Sequence, residues 1–249
     1  MEYTNSPYTK IPDELLNDYT CNGTIPVLDC FLDGTHDLKQ QIWTDEYINT
    51  YKQYFSIDKV KNHCIDIQED YPGASRMLLT AFENYEINNK KVAVIGSISP
   101  WIEAMLLNLN NDVTTVEYNV PEATTSQLKC ISYWDYQKSN DLYDCVVTYS
   151  SIEHSGLGRY GDPLDPNGDL KCIDDIHKSI IPNGTLIWGA PVGHDAVVFN
   201  LHRIYGKIRL PMMFEKFEEK MWIGCDRNHQ LNEPLKNNNF NPVVVLKKK

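Results

Sequence analysis

The chain lacks paired cysteine motifs, internal repeats, long apolar runs and any surplus of positive charge, and each shortage removes a class of function. Its seven cysteines, Cys21, Cys30, Cys64, Cys130, Cys145, Cys172 and Cys225, are odd in number and never stand at C-x-x-C spacing. Neither a disulfide framework nor a zinc site is expected, and no metal is assigned. With 34 acidic residues against 23 basic ones the net charge is −11. Such a surface repels phosphate backbones and anionic lipid, so nucleic acid and membrane surfaces are not expected partners. The tight basic cluster Lys247–Lys249 reads as a solvated terminus. No stretch approaches a membrane span, and the first residues, MEYTNSPYTK, lack a charged-then-apolar signal pattern; a soluble, cytoplasmic protein is the expectation. The triplets at Asn22 and Asn183 read as Asn-Gly turns.

What the chain does contain centres on residues 91–119, KVAVIGSISPWIEAMLLNLNNDVTTVEYN. Val92–Ile95 is an unbroken apolar run, the mark of a strand covered on both faces. Gly96 marks its end. Ser99 as cap and Pro100 as first residue then open a helix carrying Ile102, Met105, Leu106 and Leu109 at helical spacing. A second β-branched run, Val113–Val116, ends in Glu117. Strand, glycine turn, helix N-terminus and terminal acid together make a nucleotide-binding half-site: the helix end suits an anionic group and the acid suits ribose hydroxyls.

Residues 1–37 read as an extended entry without regular structure. From Asp37 to about Val60, aromatics including Trp43, Tyr47 and Tyr51 recur at helical spacing. They pack on the sheet, or cover a bound planar ring. A further helix is expected from Ser75 to about Tyr85, after Pro72-Gly73. Beyond Glu117 come a short helix over 121–127, a third strand over 130–134 ending at Asp135, and a fourth strand over 143–148. The motif Ser150-Ser151-Ile152-Glu153-His154 follows at its carboxyl end. After a Gly- and Pro-rich loop, expected to be mobile, come a helix over 169–180 and a fifth strand over 185–188. Stretches 214–223 and 242–246 read as a terminal antiparallel strand pair. This alternation predicts a doubly wound, mostly parallel α/β sheet over residues 88–249, with an N-terminal helical extension over 1–87.

The acids ending strands two and three, the segments YDCVVTYSSIEH and KSIIPNGTLIWGAPVG, and their order resemble the class I S-adenosylmethionine-dependent methyltransferases, with their Rossmann-like fold. VIGSISPWIEA, TTVEYN and HRIYGKIRLP resemble the Caenorhabditis domain-of-unknown-function family. The resemblance implies S-adenosylmethionine as cofactor, with its methionine end near Gly96 and Ser97, its ribose at Glu117 and its adenine amine at Asp135. Ser150 and Ser151 would lie beneath the sulfonium. It departs from the superfamily at Gly96-Ser97-Ile98-Ser99-Pro100, where two or three glycines are usual.

His154 is then the candidate acid-base group, with Glu153 to orient it or act instead. His154 shaping the pocket through a carbonyl bond fits equally. Arg203 is placed to pair with an anionic acceptor. The expected activity is methylation of a small-molecule or sugar-like oxygen nucleophile. Two alternatives stay open: an inactive methyltransferase-like scaffold, from the Gly-poor turn, and a NAD-dependent oxidoreductase, from Gly156-Leu157-Gly158-Arg159-Tyr160-Gly161. The Asp-Pro pairs after that G-x-G-x-x-G forbid an immediate helix, which counts against the fingerprint. Asp162, Asp165 and Asp169 offer oxygen ligands to a divalent cation, or ordinary turn and cap chemistry.

Overall fold

The computed structural model describes residues 8–32, 41–234 and 240–249; the expected helix start at Asp37 lies outside them. The elements in order are α1 (Asp13–Tyr19), β1 (Val27–Cys30), β2 (Ile42–Trp43), α2 (Asp45–Tyr54), α3 (Ile57–Lys61), α4 (Ala74–Asn84), β3 (Lys91–Ile95), α5 (Trp101–Asn108), β4 (Asp112–Glu117) and β5 (Glu122–Ala123). There follow β6 (Lys129–Ser132), α6 (Tyr133–Lys138), β7 (Tyr143–Tyr149), α7 (Gly168–Ser179), β8 (Ile180–Gly189), β9 (Ala196–Asn200), β10 (His202–Ile204), α8 (Arg209–Met213), β11 (Phe217–Ile223), α9 (Arg227–Gln230) and β12 (Val243–Lys248).

Seven strands form one sheet in the order β11-β12-β8-β7-β3-β4-β6. β3 sits at its centre, parallel to β4 on one side and to β7 on the other. Because side chains alternate along a strand, Val92 and Val94 enter one core and Ala93 and Ile95 the other. The first core is closed by α2 to α5 through Ile48, Val60, Leu78, Phe82 and Met105, the second by α6 to α8 through Tyr136, Ile173, Ile176 and Leu210. Truncating one such buried side chain to alanine costs roughly 2–5 kcal/mol for Leu, Ile or Met. The sheet is therefore a doubly wound α/β layer, and β12 lies antiparallel between β8 and β11 as the terminal pair.

Several local expectations are corrected. The entry segment is not wholly irregular: 13–19 form α1 and 27–30 form β1, and β1 pairs in parallel with β9, from Val27↔Val197 to Cys30↔Asn200. The stretch 121–127 holds the two-residue strand β5, paired with β2, rather than a helix. Helix α5 begins one residue later than expected, at Trp101 after Pro100, and Ser99 makes no side-chain cap. The third strand stops at Ser132, where the chain turns into α6. No helix of the described residues is long and apolar enough to cross a membrane.

Candidate active-site cleft

The strand order reverses on either side of β3, and a cleft of about 190 Å³ opens there, beyond the carboxyl ends of β3, β4 and β7. This is the place where open α/β sheets bind ligands. Gly96, Ser97, Glu117, Ser150, Ser151 and His154, six of the sequence-predicted residues, line it together.

Gly96 is required by the fold. Its φ is +80°, and a Cβ there would stand 1.8 Å from Ser151 Oγ. The ends of β3 and β7 thus approach with no room for a side chain. The missing glycines after it are accommodated differently. Ser97 turns its hydroxyl inward, donating to Ser99 O at 2.9 Å or Glu103 Oε2 at 3.0 Å, while Ile98 is exposed.

Glu103 is a residue the sequence reading passed over. Fully buried in α5, it also accepts from Thr115 Oγ1 at 2.9 Å. Burial pushes its carboxyl up to about 7 despite these hydrogen bonds. A single charge in the otherwise apolar WIEAMLL was the available signal, because a helix buried all round has little reason to carry one.

Glu117 ends β4 at the cleft wall. One carboxylate oxygen accepts from the Ser97 N–H and the other from the Tyr118 N–H at 3.1 Å. Burial lifts its pKa to about 6, against those two bonds. Each oxygen keeps acceptor capacity toward a ligand.

Asp135 is outside the cleft. It is exposed in the first turn of α6, where Ser132 Oγ accepts from its N–H at 3.0 Å and stands 2.6 Å from its Oδ2. Ser132-x-x-Asp135 is a capping pattern, so the adenine role expected for Asp135 has no support in its position. Tyr118, Asn119 and Pro121, which follow β4, line the cleft.

At the other end stand Ser150, Glu153 and His154. Ser150 holds φ at +50° and its Oγ donates to Glu153 Oε1 at 2.9 Å. Glu153 is fully buried and its Oε2 has no hydrogen-bond partner among the described residues. Burial pushes its carboxyl up to about 7. His154 Nδ1 lies 2.6 Å from Leu201 O, which fixes the proton on Nδ1 and leaves Nε2 an acceptor, 3.6 Å from Glu153 Oε1. Burial, and then the nearby Arg159 guanidinium, press the imidazole down to about 3. It is neutral at physiological pH.

The loop after His154 is pinned where mobility was expected. Asp162 accepts from the N–H groups of Gly156 at 2.7 Å, Gly158 at 3.2 Å and Tyr160 at 3.3 Å. Those three amides are taken by the chain's own carboxylate and are not free for a pyrophosphate. Arg203 is buried and donates to Ser155 O at 2.6 Å and Asp165 O at 3.2 Å, so it is not free to meet an acceptor. Arg209 completes the clasp with Asp169 at 2.5 Å. These bonds are turn and ion-pair chemistry, and among the described residues no group of three or more His, Cys, Asp or Glu is placed to hold a metal.

Tyr71 and Asp70, preceding α4, also line the cleft. Sequence reading took Pro72-Gly73 only as a chain break; nothing local marked its neighbours as site residues. Among the described residues no lysine or arginine lines the cleft, whereas Asp70, Glu117 and Asp162 do.

No curated protein matches the chain in sequence. Among solved structures, the fold is similar to N-methyltransferase NodS from Bradyrhizobium japonicum WM9 in complex with S-adenosyl-L-homocysteine, with a TM-score of 0.52 and 13% identity over 82% of this chain and 99% of that one. It is also similar to the Burkholderia thailandensis 1,6-didemethyltoxoflavin-N1-methyltransferase with bound 1,6-didemethyltoxoflavin and S-adenosylhomocysteine, with a TM-score of 0.55 and 13% identity over 89% and 93% of the two chains. At such identity the likeness is one of fold, the Rossmann-like methyltransferase fold. In sequence, residues 89–241 match the family described as Caenorhabditis protein of unknown function, DUF268. That span is more than half of the chain and holds β3 to α9, and the protein belongs to this family.

Proposed function

We propose that the protein is an S-adenosylmethionine-dependent methyltransferase acting on a small-molecule oxygen nucleophile. The observation that carries this reading is the charge of the cleft. Carboxylates line a switch-point cleft that has no lysine or arginine among its described residues. That lining suits a cation and disfavours a dinucleotide pyrophosphate, which counts against the NAD reading. S-adenosylmethionine, when bound, supplies an activated methyl group on a positively charged sulfur.

The chain's own residues then have definable tasks. Glu117 accepts hydroxyl hydrogen bonds with the acceptor capacity that Ser97 and Tyr118 leave unused. Gly96, by lacking a side chain, lets the ends of β3 and β7 approach at Ser151, where they would position the bound reactants. Ser150 Oγ takes the proton of the acceptor hydroxyl while passing its own to Glu153 Oε1, 2.9 Å away. Glu153, with a pKa near 7, is poised to take that proton near neutral pH. His154, neutral and held by Leu201, shapes the wall and offers Nε2 as an acceptor.

The test is release of S-adenosylhomocysteine when the purified chain and S-adenosylmethionine meet a panel of hydroxyl compounds. Turnover by wild type that falls about a hundredfold or more in Glu153→Gln supports the assignment. Turnover unchanged in that variant removes Glu153 from the mechanism.

A further inference from the structure

The main cleft continues into a side cleft of about 170 Å³, and the two share Asp70, Tyr71, Ser99 and Trp101. Four aromatic side chains, Tyr51, Phe55, Tyr71 and Trp101, line the side cleft beside the polar Gln68 and Ser99. Tyr51 stacks on Phe55 with centroids 6.2 Å apart, and Phe55 meets Trp101 at 5.9 Å. Trp101 and Tyr71 both pack edge-on against Tyr149, at 5.9 and 5.4 Å. Two carboxylates, Glu69 and Asp70, stand among these rings. Glu69 is engaged by the N–H groups of Gly73 at 2.9 Å and Ser75 at 3.1 Å. Asp70 stands exposed where the two clefts meet, with no lysine or arginine lining either cleft among the described residues.

Aromatic faces beside a carboxylate, without a competing cation, form the surroundings that recognise an organic ammonium group. The same surroundings repel a carboxylate or phosphate, and the overall charge of −11 adds to both effects. We propose that the side cleft is the acceptor subsite and that it takes an ammonium group, so that the methyl acceptor is a hydroxyl compound bearing an amine or quaternary ammonium. The identification of an acceptor rests on the methyltransferase reading above; the preference of the cleft for a cation does not.

The experiment is ligand-observed NMR on the full chain, with and without saturating S-adenosylhomocysteine. Three probes of similar shape are used: tetramethylammonium, neopentyl alcohol as the neutral counterpart and pivalate as the anionic one. We expect tetramethylammonium to bind about tenfold more tightly than neopentyl alcohol, and pivalate not at all. Asp70→Asn, an exposed substitution, should weaken tetramethylammonium about fivefold and Trp101→Leu about tenfold. Equal binding of the three probes, or tetramethylammonium affinity unmoved by Asp70→Asn, overturns the proposal. If Asp70→Asn weakens S-adenosylhomocysteine and not tetramethylammonium, Asp70 serves the cofactor's ammonium; the subsite is then wrong while the methyltransferase reading stands. If the probes discriminate as expected but S-adenosylhomocysteine never binds, the cation site stands and the cofactor reading fails.

Discussion

Glu103 gives a stability prediction whose sign and size follow from its surroundings. Its carboxyl is fully buried under the β3–α5 turn with a pKa near 7, against the ordinary 4.5. A native-state pKa raised above the unfolded one means that the folded protein holds this proton more tightly. The resulting stability is fully present below about pH 4.5 and is lost as pH rises to about 7. At 1.36 kcal/mol for each unit, the loss is about 3 kcal/mol. Glu103→Gln keeps the size of the side chain but cannot ionise, and its amide can still meet Ser97 Oγ and Thr115 Oγ1, the partners of the carboxyl. Urea unfolding of both proteins should therefore show near-equal stability at about pH 5, and an advantage of about 2–3 kcal/mol for the variant at about pH 8. Taking the difference between the two proteins removes the contribution of Glu153, which titrates in the same range. A difference that does not change with pH, or a variant less stable at the higher pH, refutes the reasoning.

Three further outcomes are expected. Gly96→Ala, placing a Cβ 1.8 Å from Ser151 Oγ at a φ of +80°, should cost about 2 kcal/mol or more by thermal unfolding and weaken S-adenosylhomocysteine measurably; unaltered affinity counts against the close approach of β3 and β7. Asp169→Ala leaves Arg203 and Arg209 buried without their carboxylate, and should cost about 3–5 kcal/mol, seen as a Tm lowered by about 6–20 °C; a shift below about 2 °C contradicts the clasp. Since Glu153 must be ionised to accept a proton and its pKa is near 7, kcat should rise with pH through about 7 and level off above it, a rise that Glu153→Gln abolishes.

The central sheet was legible because its strands are buried on both faces and so read as continuous apolar runs. VAVI and DCVVT became β3 and β7 within a residue or two. The site was legible where it depends on strand ends, since Gly96, Glu117 and Ser150 mark them. Other parts were hidden for physical reasons. The partner of β9 is β1, some 170 residues away, and no local pattern announces a pairing so distant. Asp135 reads as a strand end because alternation through Trp134 imitates a longer strand, whereas the Ser132-x-x-Asp135 cap in the same letters opens α6. The loop over 155–166 looked mobile from its Gly and Pro content. The hydrogen bonds that hold it come in part from Arg203 and Arg209, buried donors that lie over 35 residues further along the chain. Asp70 and Tyr71 gain their place only when α4 packs on the sheet.

Whether the carboxylate-lined cleft holds S-adenosylmethionine at Glu117 is decided by calorimetric titration with S-adenosylhomocysteine, with NAD as the comparison. Wild type should bind S-adenosylhomocysteine at micromolar concentration, on the order of −8 kcal/mol, with binding lost or greatly weakened in Glu117→Ala and no binding of NAD. Absence of both heat and thermal stabilisation at saturating ligand would contradict it, because a ligand that binds only the native state must stabilise that state.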